Sequence, residues 1–215
     1  MLHIKSFTFN PFSENTYVVF NENRNAYLID PGNFTDAETT ALQQFIENQG
    51  LKIQNILLTH AHIDHVLGLQ KMYDLYKVPV LLHEIENEIL DRNPMDANRF
   101  GFFFKPFEGT IQFIKENEIV KLDEDSLKIL HVPGHSPGSV AYYSELVKGL
   151  IAYYRMDVLF EGSIGRTDLY KGNYEQLIES VQTKLFVLDD KTTVYSGHGN
   201  PTTIGFEKTY NPFFK

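Results

Sequence analysis

Hydrophobic and polar positions over the first thirty residues follow a short, strand-like pattern, which predicts strands at Leu2–Phe9, Thr16–Phe20 and Ala26–Ile29. Asn21–Asn25 reads as a polar turn, and Asp30-Pro31-Gly32 as a stop. The period then lengthens to that of a helix. Thr35 with Glu38 three residues on is a capping-box pattern, and Ala37, Ala41, Leu42, Phe45 and Ile46 fall on one face before Gly50. Ile53–Leu58 is a short apolar run expected to form a buried strand, followed by a helix from about Val66 to Tyr76. Pro79–His83 predicts a strand, Glu84–Leu90 a short helix, and Arg92–Gly109 a long loop with five phenylalanines. Beyond it, strands are expected at about Ile119–Lys121, Leu127–Val132, Ser139–Tyr143, Gly149–Tyr154 and Thr193–Tyr195, with a helix over Tyr174–Leu185. No repeat or Pro/Gly/Ser linker divides the chain, so residues 1–215 are read as one domain of mixed α and β elements.

Composition narrows the chemistry. With 42% hydrophobic and 22% charged residues in 215, folding can remove about 70% of the unfolded chain's surface from water, which argues against disorder. The chain has no cysteine, which excludes disulfides, thiolate zinc sites, iron–sulfur clusters and cysteine nucleophiles. Any metal must sit on nitrogen and oxygen. A formal charge of −9 without a dense Lys/Arg block argues against a nucleic-acid partner. The first residues lack a signal pattern, and no run approaches the ~20 apolar residues of a membrane helix, so a cytoplasmic protein without a membrane partner is expected.

Six of the eight histidines lie in three windows, each where a predicted strand hands over to a loop. Thr59-His60-Ala61-His62-Ile63-Asp64-His65 offers four donors in six residues. Alternation aims His60 and His62 to one side, while the turn into a helix brings Asp64 and His65 to a neighbouring point. His131-Val132-Pro133-Gly134-His135 sets a histidine in a proline-stiffened turn, and Ser196-Gly197-His198-Gly199 frames one with glycines. Asp157 ends the predicted strand between them and is placed to bridge two ions. Counting donors gives His60, His62 and His135 for one metal and Asp64, His65 and His198 for a second, with Asp157 shared. Imidazole and carboxylate suit Zn²⁺ first, with Fe²⁺ or Mn²⁺ as alternatives. His3 and His83 are expected to be ordinary structural residues, and His131 a packing or supporting one.

The ordered motifs resemble the metallo-β-lactamase superfamily, and within it the short glyoxalase II-like hydrolases. The resemblance runs through Asn15-Thr16-Tyr17, Asp30-Pro31-Gly32, Thr59–His65, Pro133–Ser139, Asp157–Phe160, Gly162–Asp168 and Ser196–Gly199. It closes on Thr202-Thr203-Ile204-Gly205 with Asn211-Pro212-Phe213. It implies an α+β fold, a four-layer αβ/βα sandwich of two mixed sheets flanked by helices, without the C-terminal glutathione-binding helical extension of the longer enzymes. It also implies that Asn15 and Asp30 are framework residues and that Arg166 with Asp168 is a structural ion pair. One departure stands out: Tyr154-Arg155-Met156 precedes Asp157, where the family usually has a small residue, which predicts crowding or a weaker second metal.

The expected reaction is hydrolysis of a hydroxyacylglutathione or related acyl thioester by a metal-bound hydroxide, with Asp64 as the catalytic residue that orients the water or takes its proton. A mononuclear-iron persulfide dioxygenase, a lactone or ester hydrolase, and a metal-binding scaffold without turnover are the alternatives. The Phe100–Phe107 loop is a candidate substrate wall or homodimer contact, with simple packing on the core as the competing expectation.

Overall fold

A computed structural model describes residues 1–101, 103–144 and 157–215. It divides into two compact units, Leu2–Ile114 and Lys115–Lys215 with Met1. The predicted strand at Gly149–Tyr154 and the Met156 departure lie outside the described residues.

In the first unit, β1 (His3–Phe9), β2 (Glu14–Phe20), β3 (Asn25–Ile29), β4 (Lys52–Leu57), β5 (Val80–His83) and β6 (Ile111–Ile114) form one sheet in sequence order. The pairs β1–β2 and β2–β3 are antiparallel, and β3 to β6 run parallel, which makes the sheet mixed. Each parallel step needs a helical crossover. The helix α1 (Asp36–Asn48) supplies the first and starts as its sequence predicts: Thr35 Oγ1 accepts from Glu38 N at 3.2 Å while Glu38 Oε2 accepts from Thr35 N at 2.8 Å. It buries Thr39, Leu42 and Ile46, with Phe45 packed against the same core, while Ala37 and Ala41 face water. The apolar stripe is thus narrower than the sequence suggested.

The helix expected over Val66–Tyr76 is two pieces, α2 (Ile63–Val66) and α3 (Leu69–Tyr76). At the break Gly68 passes so close to Asn33 that a Cβ there would lie 2.1 Å from Asn33 Oδ1, so this position admits no side chain. Much of the expected Arg92–Gly109 loop is helical: α4 (Asn87–Arg99) follows a 3₁₀ turn at Glu84–Glu86 and carries Pro94 inside it. Of the phenylalanines, Phe104 and Phe107 pack on the core, Phe100 ends α4 edge-on to Phe12, and Phe103 is 82% exposed. Packing therefore accounts for part of that cluster. Phe102 lies outside the described residues.

In the second unit, β7 (Ile119–Leu122), β8 (Asp125–His131) and β9 (Val140–Tyr143) make an antiparallel sheet. Two short ladders follow, β10 (Leu159–Phe160) with β11 (Ser163–Ile164), and β12 (Thr193–Val194) with β13 (Thr202–Thr203). The helix α5 (Tyr174–Ser180) widens into a π-type turn at Val181–Leu185, and α6 (Ile204–Tyr210) is capped by Thr203. Leu130, Val132, Val158, Leu159, Leu177, Val181, Leu185 and Ile204 form this unit's core. No helix among the described residues is long and apolar enough to cross a membrane.

Candidate metal centre

In the first unit the chemistry gathers at the carboxyl ends of the parallel strands, as it does in α/β sheets generally. β3 ends at Ile29 and β4 at Leu57, and Asp30 N donates to Leu57 O at 3.0 Å, so the residues after both strands emerge side by side. Asp30 has a left-handed backbone (φ 46°) and is 1% exposed. Its carboxylate accepts from Thr59 N at 2.8 Å and from Thr59 Oγ1 at 2.6 Å, and lies 3.2 Å from His65 Nδ1. Glu14 Oε1 stands 3.8 Å from the same His65 nitrogen. Thr16 Oγ1 lies 2.9 Å from Glu14 Oε2 and 2.8 Å from the Asp30 carbonyl, and receives Gly32 N at 2.9 Å.

These contacts set ring orientation. Thr59 uses its hydroxyl proton on Asp30, so at 3.0 Å its oxygen accepts from His60 Nδ1, leaving Nε2 as the lone-pair nitrogen of His60. His65 Nδ1–H is likewise committed to Asp30, and its Nε2 faces Asp64 Oδ2 at 3.6 Å. The His60 ring lies 4.8 Å from that of His62 and 4.2 Å from that of His65, centroid to centroid. Asn10 Nδ2 donates to Gly32 O and Asp64 O, each at 2.9 Å, pinning the turn that carries Asp64. His60, His62, Asp64 and His65 thus form one donor cluster with Nδ1 of two rings engaged by supporting groups, the arrangement that ligating histidines ordinarily show. Buried imidazoles flanked by Glu14, Asp30 and Asp64 suit a divalent cation, whose charge offsets the carboxylates.

In the second unit Asp157 is the hub. Its Oδ2 lies 3.3 Å from His198 Nε2 and 4.0 Å from His135 Nε2. His135 Nδ1 donates to the Arg166 carbonyl at 2.7 Å, which again leaves Nε2 as the lone-pair nitrogen. The His135 turn is fixed by Asn173 N to Gly134 O at 2.7 Å and Ser180 Oγ to Pro133 O at 2.7 Å. Gly134 has φ 138°, and a Cβ there would meet the Leu177 backbone at 2.3 Å. The His198 turn hangs on β10 through Ser196 Oγ to Leu159 O at 2.9 Å. Imidazole and carboxylate again make a hard-to-borderline donor set suited to Zn²⁺, Fe²⁺ or Mn²⁺.

His3 stacks on Phe20, His83 receives Ile85 N in the 3₁₀ turn, and His131 Nε2 pairs with Pro137 O at 3.0 Å. Arg166 and Asp168 form a two-pronged surface pair, both prongs 2.7 Å long. That hydrogen bonding, aided by the guanidinium charge, holds the Asp168 carboxyl at about 2, below its usual 3.8. What Arg166 lends to His135 is its carbonyl, which any residue could supply. Asn10, Glu14, Glu86 and Asn93 carry no signal in the sequence, since each has partners far along the chain.

A model of the metallo-beta-lactamase superfamily matches residues 9–198. Hydroxyacylglutathione hydrolase GloC of Haemophilus influenzae is 39% identical over 204 residues, covering 94% of this chain and 93% of its own. Among solved structures, the BLEG-1 B3 metallo-beta-lactamase superposes with a TM-score of 0.86 at 36% identity, covering 99% of this chain and 100% of its own. TTHA1623 in a di-iron-bound form gives 0.83 at 33%, covering 97% and 99%. With its α+β fold, its buried histidine–carboxylate clusters and this match over most of its length, the chain belongs to the metallo-β-lactamase superfamily.

Proposed function

We propose that this metallo-hydrolase cleaves an acyl thioester of the hydroxyacylglutathione kind, as one catalytic domain that carries two divalent ions. His60, His62 and His135 would hold one ion and Asp64, His65 and His198 the other, with Asp157 shared. The observation that carries the reading is the engaged Nδ1 atoms of His60, His65 and His135, which present three Nε2 lone pairs as ligating histidines do. Identity of 39% to a hydroxyacylglutathione hydrolase supports the thioester.

Held by this donor set, divalent ions would supply Lewis-acid chemistry, bringing a water's pKa toward ~7 and polarising a substrate carbonyl. The protein's own part is positional. Asp30 and Thr59 keep the rings of His60 and His65 in the ligating tautomer, and the Arg166 carbonyl does so for His135. The Asp64 carboxylate orients the attacking water and takes its proton, with Asn10 fixing the backbone beneath it. A thiolate leaves without a strong acid, so the reaction asks for no further proton donor.

The test is turnover of S-lactoylglutathione by purified protein, beside other thioesters, esters, lactones and a glutathione persulfide. Thioester cleavage lost in Asp64→Asn supports the proposal. Cleavage of an ester or lactone alone, or sulfite from the persulfide, overturns it. The likeness to a B3 metallo-beta-lactamase favours one second reading, opening of a β-lactam ring, which nitrocefin turnover would establish.

A further inference from the structure

The peptides on either side of Ala61, the residue between His60 and His62, are gripped by two buried side chains of one neighbouring segment. Ala61 N donates to Glu86 Oε2 at 2.9 Å, and Asn93 Nδ2 donates to Ala61 O at 2.8 Å. Glu86 is 0% exposed and Asn93 1%. Glu86 is the N-cap residue of α4, and Asn93 lies two helical turns further along the same face. Leu90 and Ala97, 2% and 0% exposed, complete that stripe.

An apolar residue is the default at each of these four positions. Burying a carboxylate and a carboxamide there is costly unless each meets partners, and both reach the Ala61 backbone. The two bonds act on successive peptide planes, because the Ala61 N–H belongs to the plane shared with His60 and the Ala61 C=O to the plane shared with His62. Fixing both planes removes the freedom of Ala61 φ and ψ, and with it the relative direction of the two histidine Cα–Cβ bonds.

We infer that Glu86 and Asn93 are positioning residues that set the His60–His62 pair for metal. The inference rests on the reading of His60 and His62 as ligands. Thr59 and Asp30 orient the His60 ring from the strand side, and Glu86 and Asn93 fix the backbone from the helix side. Glu86 suits the task because an ionised carboxylate only accepts hydrogen bonds and carries charge opposite to a nearby cation.

The experiment loads metal-free protein with Co²⁺ and reads affinity, by competition with a chromophoric chelator, together with the visible d–d spectrum. Thermal unfolding of the metal-free protein is followed alongside. Glu86→Leu and Asn93→Leu are expected to weaken Co²⁺ binding by about 10- to 100-fold and to alter the spectrum, as loss of supporting groups does elsewhere. Glu86→Gln, which keeps an acceptor for Ala61 N, should restore the spectrum and bring affinity to within about 3-fold of wild type. Should the leucine variants fail to fold, Glu86→Gln and Asn93→Ala carry the test, Asn93→Ala being expected to weaken binding and Glu86→Gln to preserve it. Folded variants with wild-type affinity and spectrum would overturn the inference, since the grip would then serve stability alone. His60→Ala separates the two ideas: unchanged Co²⁺ binding in that variant refutes the ligand reading itself, whereas its loss beside unaffected Glu86 and Asn93 variants refutes only the positioning role.

Discussion

Adding one methyl group at Gly165 tests how rigidly Asp157 is held. A Cβ there would stand 1.8 Å from the Asp157 carbonyl oxygen, 2.9 Å from its carbonyl carbon and 3.3 Å from His135 Cβ. The nearest atoms are backbone, so no side-chain rotation relieves the clash. Opening 1.8 Å to 3.0 Å, the shortest distance real Cβ atoms tolerate, demands about 1.2 Å of relative movement. Even if Gly165 absorbs half, about 0.6 Å falls on Asp157, against the ~0.2 Å tolerance of metal–ligand distances. Overpacking of this kind costs about 1–3 kcal/mol, or roughly 3–9 °C in Tm for a chain this long. Gly165→Ala is therefore expected to lower the Tm of metal-free protein by that amount and to lose bound metal on gel filtration, read by elemental analysis. Gly162→Ala, on the same hairpin at φ 67° with nothing within 4 Å of its Cβ, is the control and should cost only about 1 kcal/mol with metal retained. Wild-type Tm and metal content in Gly165→Ala would show that the Asp157 backbone is not held rigidly against Gly165.

Three further outcomes follow from the same contacts. Asp30→Ala leaves the buried Thr59 N–H and His65 Nδ1 without their acceptor and should cost about 3 kcal/mol in urea unfolding, while a loss under about 1 kcal/mol would contradict its framework role. Glu207, fully buried, accepts from Thr202 Oγ1 at 2.5 Å, Asn211 Nδ2 at 2.7 Å and Gly162 N at 3.1 Å, so Glu207→Leu should destabilise by about 3 kcal/mol or more in the same assay, whereas a near-neutral effect would show the three donors repaired elsewhere. The Asp168 carboxyl, held at about 2 chiefly by its hydrogen bond to Arg166, has a folded pKa below the unfolded one, so its stabilisation is complete above about pH 4 and fades as pH falls through about 2. Its carboxyl carbon chemical shift should titrate there, and Arg166→Ala should return the midpoint to about 4; an unchanged midpoint would show that the pair does not form in solution.

Much of this was legible in the chain itself. Short apolar-rich runs bounded by turn residues located β1 to β5, and the Thr35–Glu38 pattern located the start of α1, because both are local signals tied to backbone geometry. The histidine windows stood out since several donors fall within one strand-end turn. Asp30 could be seen as a strand-end acid, yet its bond to Thr59 depends on the parallel register of β3 and β4, which bridges 29 positions and leaves no local trace. The helix α4 was legible only at its start, since the helix predicted over Glu84–Leu90 stops where α4 runs on through Pro94 to Arg99, and buried Asn93 looks like a flaw in an apolar stripe until Ala61 O is seen opposite it. The β6 strand and the α6 helix are short enough that tertiary pairing decides them, as the Glu207 contacts do at the chain's end.

On the proposed function, hydrolysis depends on two ions held by histidine and aspartate. Titrating Zn²⁺, Fe²⁺ or Mn²⁺ into metal-free protein while following S-lactoylglutathione cleavage tests it most directly. No turnover is expected without metal, and saturation at two equivalents per chain is expected with at least one of these ions. Turnover that survives complete chelation, or stays absent with two bound equivalents of every ion, would contradict it.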